Sequence, residues 1–300
     1  MKTILLLCSL FCITSAWSQK GNELLVYSLK GNVTVIEDNK ESKVRIGKVL
    51  KQGSTVKTQK LSKLTMVCKQ GKPISVTREG SYPVEQWKDS CSMPSNSMTT
   101  KYFQFIWDQL YVRSDDYKKD HPGGDFLTDA PVRGQEDLEI LVDARFDSIY
   151  YASGKFPLKW TTTKNYDGKF FFILYNESSR KPVFKDSIRG ESIQLEKIKK
   201  YMRTGNEYSW SLATRATGEM YGGVIKYIST GRVTRQVNKL KKLVNVPEEP
   251  AVRYFRLGYL LENTGYTPNA LLYYQKAALT APEISLYQEK LDEFKKDFGL

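Results

Sequence analysis

Short apolar runs separated by glycines dominate residues 24–87. In one of these runs Leu64, Met66 and Cys68 occupy alternate positions, which places their side chains on one face of a strand. Strands this short form a core only when several of them pack together. The pattern therefore predicts a small β domain over residues 19–92, built as a compact sandwich or barrel-like roll.

A helical pattern follows the β domain. Apolar and aromatic residues recur there at spacings of three and four, and they are Tyr102, Phe103, Phe105, Ile106, Trp107, Leu110 and Tyr111. We interpret this stripe as the packed face of a short helix within a connector, residues 93–142. The rest of the connector is polar and rich in turn residues around His121, which predicts a loop.

Strand-forming residues return over residues 143–220. Residues 170–175 are a continuous run of strand formers, while Tyr208, Trp210 and Leu212 alternate with small polar residues and so share a face. Strands that recur at this spacing predict a β-sandwich.

The apolar period becomes helical in the last segment, residues 226–300. Its most specific pattern resembles one tetratricopeptide repeat, a helical hairpin of about 34 residues, and consists of Tyr254, Leu257, Gly258, Leu261, Gly265, Ala270, Tyr274, Ala277 and Pro282. Small residues such as Gly258 and Ala270 let two antiparallel helices approach closely. Because one hairpin cannot bury its own apolar face, flanking helices are expected at residues 234–244 and 284–298.

The N-terminal pattern resembles a FecR-type domain. The resemblance is carried by residues 31–35 with their alternating valines, by Gly53, where a loop opens, and by residues 64–68 before Gly71. It implies a small β domain and, as an alternative function, a ligand-sensing component of an envelope signalling system. The acidic residue that usually follows the second glycine of the family is absent, so the iron-signalling role is not carried over.

The middle segment resembles the immunoglobulin-like domains that occur beside FecR-type modules. Pro157, Leu158 and Trp160 open a strand, and residues 170–175 and 208–210 supply two further strands of the pattern. The predicted fold class is thus multidomain all-β plus α: a FecR-like small β domain, an Ig-like β-sandwich and a C-terminal helical hairpin of the tetratricopeptide type.

Residues 1–18 have the composition of a cleaved secretory signal. Lys2 supplies the positive start, and the apolar stretch at residues 4–13 is shorter than the roughly 20 residues that cross a bilayer. Leu7 and Phe11 precede the cysteines of this segment, where a lipoprotein signal has a small residue, so a lipid anchor is not expected. We predict an exported protein of the periplasm or cell surface, with no transmembrane segment in the mature chain.

Cys68 and Cys91 are the cysteines that remain after the signal is removed. An even number in an oxidising compartment favours one disulfide, which would stabilise the fold by about 3 kcal/mol. The alternative is a pair of buried thiols.

The formal net charge of +13 invites binding to nucleic acid or to an anionic surface, and export argues against nucleic acid. The basic run that leads into the repeat contains no acid, and its members are Lys226, Arg232, Arg235, Lys239, Lys241 and Lys242. This run is either a docking face for an anionic partner or lipid head groups, or the polar side of an ordinary amphipathic helix.

No catalytic residue, metal site or cofactor site is predicted. With His121 as the one histidine, a two-histidine zinc motif cannot form, and glycine-rich phosphate-binding loops are absent. The paired acids at residues 115–116 and 248–249 are interpreted as solvated charges. Modules of this size leave no room for a conventional catalytic domain.

The expected function is therefore that of a non-enzymatic periplasmic or cell-envelope scaffold, which holds other envelope proteins through its repeat and sandwich modules. This expectation rests on analogy between modules. Besides the FecR-like sensor, the sequence leaves open a carbohydrate-binding envelope protein that uses Trp160, Tyr166 and Trp210.

Overall fold

The computed structural model describes residues 23–91, 97–111, 140–163, 165–166, 168–215 and 218–300. Within these ranges, β-strands in several sheets are followed by C-terminal helices. The predicted combination of β and α structure is confirmed at that level. No helix in the described ranges is both long enough and apolar enough to cross a membrane.

The N-terminal strands form two four-stranded sheets that pack face to face. They are β1 (Leu24–Lys30), β2 (Val33–Glu37), β3 (Lys40–Lys43), β4 (Val49–Leu50), β5 (Thr55–Thr58), β6 (Lys63–Cys68), β7 (Pro73–Val76) and β8 (Gly80–Pro83). The sheet orders are β4-β1-β6-β7 and β3-β2-β5-β8, and all pairs are antiparallel. As predicted, Leu64, Met66 and Cys68 face the same core.

A 3₁₀ helix, Val84–Cys91, closes this core and brings Cys91 to Cys68. The two cysteines form the predicted disulfide and are 23 positions apart along the chain. The bridge therefore joins the end of β6 to the last turn of the N-terminal region.

The outer face of β1 and β6 is also buried. Leu25, Tyr27 and Val67 point away from the first core and join a second, larger one. Their cover includes α1 (Met98–Tyr111), the helix predicted from the aromatic stripe. Because both faces of β6 are covered, its residues are apolar without a break from Met66 to Cys68.

The middle of the chain is built around a five-stranded sheet in the order β10-β17-β16-β13-β14. Its strands and those of two facing pairs are β9 (Ile140–Leu141), β10 (Ser148–Tyr151), β11 (Pro157–Lys159), β12 (Thr161–Thr162), β13 (Lys169–Asn176), β14 (Lys181–Arg189), β15 (Ser192–Gln194), β16 (Glu207–Ala213) and β17 (Met220–Tyr227). β10 runs parallel to β17, and β11 pairs with β15 and β9 with β12. A short helix, α2 (Leu195–Ile198), follows β15. Tyr208, Trp210 and Leu212 all face the core, as their alternation predicted.

The C-terminal helices are α3 (Thr230–Lys242), α4 (Pro250–Glu262), α5 (Thr267–Thr280) and α6 (Ser285–Phe298). α3 begins four residues before the predicted position, because the hydroxyl of Ser229 caps it by accepting a hydrogen bond from the backbone of Arg232. α4 and α5 pack closely at Gly258, where a Cβ atom would lie only 2.7 Å from the ring of Tyr274.

The helices contact both β regions. Phe298 of α6 packs edge-on against Phe146 beside the five-stranded sheet, with ring centres 5.4 Å apart. Tyr259 of α4 meets Tyr102 of α1 at 5.4 Å. One apolar core thus extends from the outer face of β1 through α1 and the helices to the five-stranded sheet.

Candidate functional site

The residues of the repeat pattern are used mainly in packing. Leu257, Gly258, Leu261, Ala270, Tyr274 and Ala277 are buried, Tyr254 and Gly265 are half-buried, and Pro282 is exposed between α5 and α6. The hydroxyl of Tyr274 donates a hydrogen bond to Glu262 at 2.7 Å. These residues therefore hold α4 and α5 together and do not line an open site.

The face of α4 that points towards α1 is covered from within the chain. Phe105 of α1 stacks on Tyr259 with ring centres 4.6 Å apart and also lies 6.5 Å from Phe255. A ligand for this face would have to displace α1. The expectation that the repeat itself holds a partner gains no support from this arrangement.

A buried polar cluster joins the N-terminal sheet to the helices. Arg256 forms two parallel hydrogen bonds with Glu248, at 2.8 and 2.7 Å, and both side chains are only 2 % exposed. The hydroxyl of Tyr27 donates to the same carboxylate at 2.7 Å, and Arg256 also donates to the carbonyl of Leu240. The interpretation of Glu248 as a solvated charge was wrong, because the arginine fork compensates its loss of water.

Two buried tyrosines, Tyr27 and Tyr102, belong to this cluster, and their hydroxyl oxygens lie 3.1 Å apart. Burial raises the pKa of Tyr27 well above its ordinary value, and neighbouring Tyr102 and Glu248 raise it further. Both phenols stay protonated at neutral pH, and Tyr27 acts as a donor to Glu248. The arrangement is that of a structural joint whose charges are satisfied internally.

The basic residues singled out in the sequence separate into two groups. Arg232, Arg235 and Lys239 are exposed on α3 and line a shallow groove of about 420 Å³ together with Tyr150, Gln236, Thr264 and Tyr266. Lys241 and Lys242 are exposed but do not belong to that lining. We call this surface the basic groove. No acidic residue is among its described lining residues.

A pair of stacked tyrosines forms the side of the groove opposite α3. The rings of Tyr150 and Tyr266 are nearly parallel, with centres 4.4 Å apart. The guanidinium of Arg232 lies 5.4 Å from the centre of the Tyr150 ring, and Lys226 Nζ lies 5.3 Å from it. Cation–π attraction therefore restrains the arginine at the groove wall. Lys226 is also 3.7 Å from Glu207, which partly neutralises it.

Gly265 explains how the tyrosine pair is positioned. Its φ of +77° is favourable for glycine, and its carbonyl accepts a hydrogen bond of 2.7 Å from the backbone of Tyr150. A Cβ atom at this position would lie 2.8 Å from the carbonyl oxygen of Ser148. The glycine between α4 and α5 thus docks the helical hairpin onto β10 and places Tyr266 against Tyr150.

A larger groove lies between the turns of the N-terminal sheets and the start of α6. It encloses about 910 Å³, and its charged lining residues carry both signs, with Glu37, Asp38 and Glu283 beside Lys43, Arg45, Lys48 and Lys51. The opposed charges leave no single type of ion favoured. This groove is therefore a weaker candidate than the basic groove.

The other candidate residues give no site. Trp160 and Trp210 are fully buried beside the five-stranded sheet, and Tyr166 packs on Phe170, so neither tryptophan offers a face to a sugar. In the part of the chain that the structure describes, no group of three or more His, Cys, Asp or Glu side chains is placed to hold a metal ion. His121 and the acids at residues 115–116 lie outside the described residues.

Sequence reasoning missed Tyr150 and Tyr266 as groove residues. Tyr266 directly follows Gly265 of the repeat pattern, which was the available signal, whereas nothing local marks Tyr150. Comparison with protein-family models and with curated proteins finds no match for this chain.

Proposed function

We propose that this chain is an exported, non-enzymatic scaffold of the cell envelope that binds an anionic protein partner through the basic groove. One observation carries the proposal: Arg232, Arg235 and Lys239 share one opening whose described lining contains no acid. Three cations of one sign at one opening attract an anionic partner, and this attraction becomes stronger where binding excludes water from the groove.

The modules proposed from the sequence have structural support. The paired N-terminal sheets are compatible with a FecR-like domain, and the antiparallel strands β13, β14, β16 and β17 of the five-stranded sheet are compatible with an Ig-like sandwich. The close approach of α4 and α5 at Gly258 is compatible with a tetratricopeptide hairpin. The proposed export rests on residues 1–18 and agrees with the disulfide.

The proposal assigns partner binding to a junction between modules. The groove wall combines α3 with Tyr150 of β10 and Tyr266 before α5. The sandwich and the helices therefore contribute to one surface, whereas the α4 face is filled by α1. In this scheme the modules present the groove together and do not each hold a separate partner.

Capture from an envelope extract tests the proposal. The immobilised wild-type protein is compared with a triple variant, Arg232→Glu, Arg235→Glu and Lys239→Glu. The matched control carries the same charge change at three exposed lysines of the N-terminal region, Lys60→Glu, Lys63→Glu and Lys69→Glu. We expect the groove variant to lose about tenfold or more in partner affinity, equivalent to about 1.4 kcal/mol, and the control to retain it. Equal capture by all three proteins would refute the groove as the docking site.

A FecR-like sensor is the second candidate, and the buried cluster favours it. Tyr27 on β1 contacts Glu248, which in turn holds Arg256 of α4. A ligand that moved β1 would therefore disturb the helices directly. Hydrogen exchange of α4, measured with and without an envelope extract, tests this idea, and exchange that changes in β1 but not in α4 would argue against it.

A further inference from the structure

We propose that the basic groove binds an extended acidic segment of a polypeptide, whose carboxylates pair with Arg232, Arg235 and Lys239. This inference rests on the proposed function and specifies the chemistry of its partner.

The spacing of the cations is close to that of such a segment. At about 100° and 1.5 Å per helical residue, the three cations lie within about 60° of one another and are about 4.5 and 6 Å apart along α3. Alternate side chains of an extended chain project from one face about 6.7 Å apart. The long side chains of arginine and lysine span this small difference, so acidic residues at alternate positions can each meet a cation along the groove. At the same rotation per residue, Lys241 lies about 180° from Arg232 around the helix, so it cannot contact the same peptide.

The arginines favour carboxylates as the ligand groups. A guanidinium offers a planar fork that matches the two oxygens of a carboxylate, whereas a lysine is a single point charge. Arg232 is already restrained against the Tyr150 ring. Part of the conformational entropy that binding would otherwise cost has therefore been lost during folding.

The stacked tyrosines argue against a sugar. Tyr266 covers one face of Tyr150, and Arg232 and Lys226 lie over the ring as well. Because a ring stacked at 4.4 Å leaves no room for cations on the same side, both faces of Tyr150 are occupied. The pair supports the cations and leaves no face of Tyr150 on which a sugar ring can stack.

The helix itself argues against a membrane surface. An interfacial helix needs an apolar face directed at the lipid, but α3 buries Val237 and Leu240 against the rest of the protein. The cations line a shallow groove whose other side is formed by Tyr150 and Tyr266. A flat bilayer would reach them less well than a flexible peptide.

Direct binding of defined probes tests the inference. A labelled peptide of about nine residues with alternating Glu and Ser is titrated with the purified full chain, and the same peptide with Gln in place of Glu is the control. We expect binding by the acidic peptide alone, weakened by added salt because exposed charges are screened. Arg235→Ala should reduce affinity about tenfold, the loss expected for a charge-assisted hydrogen bond, and Lys63→Ala should leave it unchanged.

A conservative variant distinguishes the contribution of the guanidinium geometry from that of the positive charge. Arg232→Lys combined with Arg235→Lys preserves the net charge but removes both guanidinium forks, so peptide affinity should fall several-fold. Unchanged affinity in this variant would overturn the carboxylate pairing. Circular dichroism melts of each variant verify folding, which these exposed positions should not alter.

Two further probes decide between ligand classes, namely vesicles of phosphatidylglycerol and inorganic phosphate. Binding of vesicles without binding of the acidic peptide would overturn the inference in favour of a membrane surface. If the peptide fails to bind while envelope capture still depends on the groove, the acidic-segment inference falls and the proposed docking function stands. If capture does not depend on the groove, both fall.

Discussion

The buried cluster around Glu248 and the basic groove are both rich in charge, and both lie where β-strands meet the C-terminal helices. In the cluster, Glu248 and Arg256 are 2 % exposed and each charge has an opposite partner with well-formed hydrogen bonds. In the groove, Arg232, Arg235 and Lys239 are exposed and have the same sign. The charges of the cluster are paired within the chain, whereas the described lining of the groove contains no acidic residue.

This difference determines what each region contributes. A buried charge without a partner is costly, so the cluster is stable only as a complete set. Exposed charges remain hydrated and contribute little to folding whether paired or not. The cluster should therefore control the free energy of unfolding and the groove should control binding. Substitutions that separate these two quantities test the comparison.

The largest effect is expected for Arg256→Ala. It leaves the carboxylate of Glu248 buried without its cation, which typically costs about 3–5 kcal/mol. Urea unfolding measures the loss, with Arg235→Ala as the control for removing an arginine. A loss for Arg256→Ala below about 1 kcal/mol, the range of exposed pairs, would show that the cluster does not hold the modules together.

Tyr27→Phe should have the next largest effect. It removes the hydrogen bond to Glu248, and bonds to charged groups contribute about 1.5–3 kcal/mol. Because the folded-state pKa of Tyr27 is raised, the wild type has its full stability below the unfolded pKa of about 10 and loses it as the pH rises above that value. The unfolding free energy of Tyr27→Phe should therefore fall less steeply above this pH. Parallel pH profiles of the two proteins would contradict the assignment.

Tryptophan substitutions at Ala270 and Leu279 compare a buried and an exposed position on one helix. Ala270 is fully buried on α5, so a large side chain should force overpacking that costs about 1–3 kcal/mol. The matched control is Leu279→Trp, since Leu279 is 82 % exposed on the same helix. Because the core is continuous, hydrogen exchange should become faster in α1 and β10 as well as in α4–α6. Effects confined to α4–α6 would favour independent modules.

The smallest effect on stability is expected in the groove. Arg232→Ala and Arg235→Ala should each change the unfolding free energy by less than about 0.5 kcal/mol, as is usual for surface substitutions. Their effect should instead appear in partner affinity. A large loss of stability without a loss of capture would reverse the roles assigned to the two regions.

Local patterns predicted local structure well. The alternation at residues 64–68 gave the correct strand face, the aromatic stripe gave α1, and the cysteine count gave the bridge between Cys68 and Cys91. In each case the information lies within a short stretch or in the chemistry of a residue pair. The start of α3 was misplaced because Ser229 was not recognised as its cap.

Contacts between distant residues could not be predicted in the same way. Glu248 stands beside Glu249 in the sequence and resembles an ordinary solvated acid, yet Tyr27, which donates to it, is 221 positions away. Similarly, nothing local indicates that Tyr150 stacks on Tyr266. Periodicity identifies which side of an element is apolar but not which element covers it.

The outer face of the sheet β4-β1-β6-β7 is covered by residues that lie far along the chain. Leu25, Tyr27 and Val67 receive part of their cover from α1 and from the segment that contains Glu248. Because a chain is made from its N-terminus, the paired N-terminal sheets can close around their own core while this strip still faces solvent. Exposed apolar strips promote association between chains, so the incomplete chain should depend on a holding chaperone until residue 248 is available. Light scattering during refolding of chains that end before and after that residue would show whether association occurs only while residue 248 is missing.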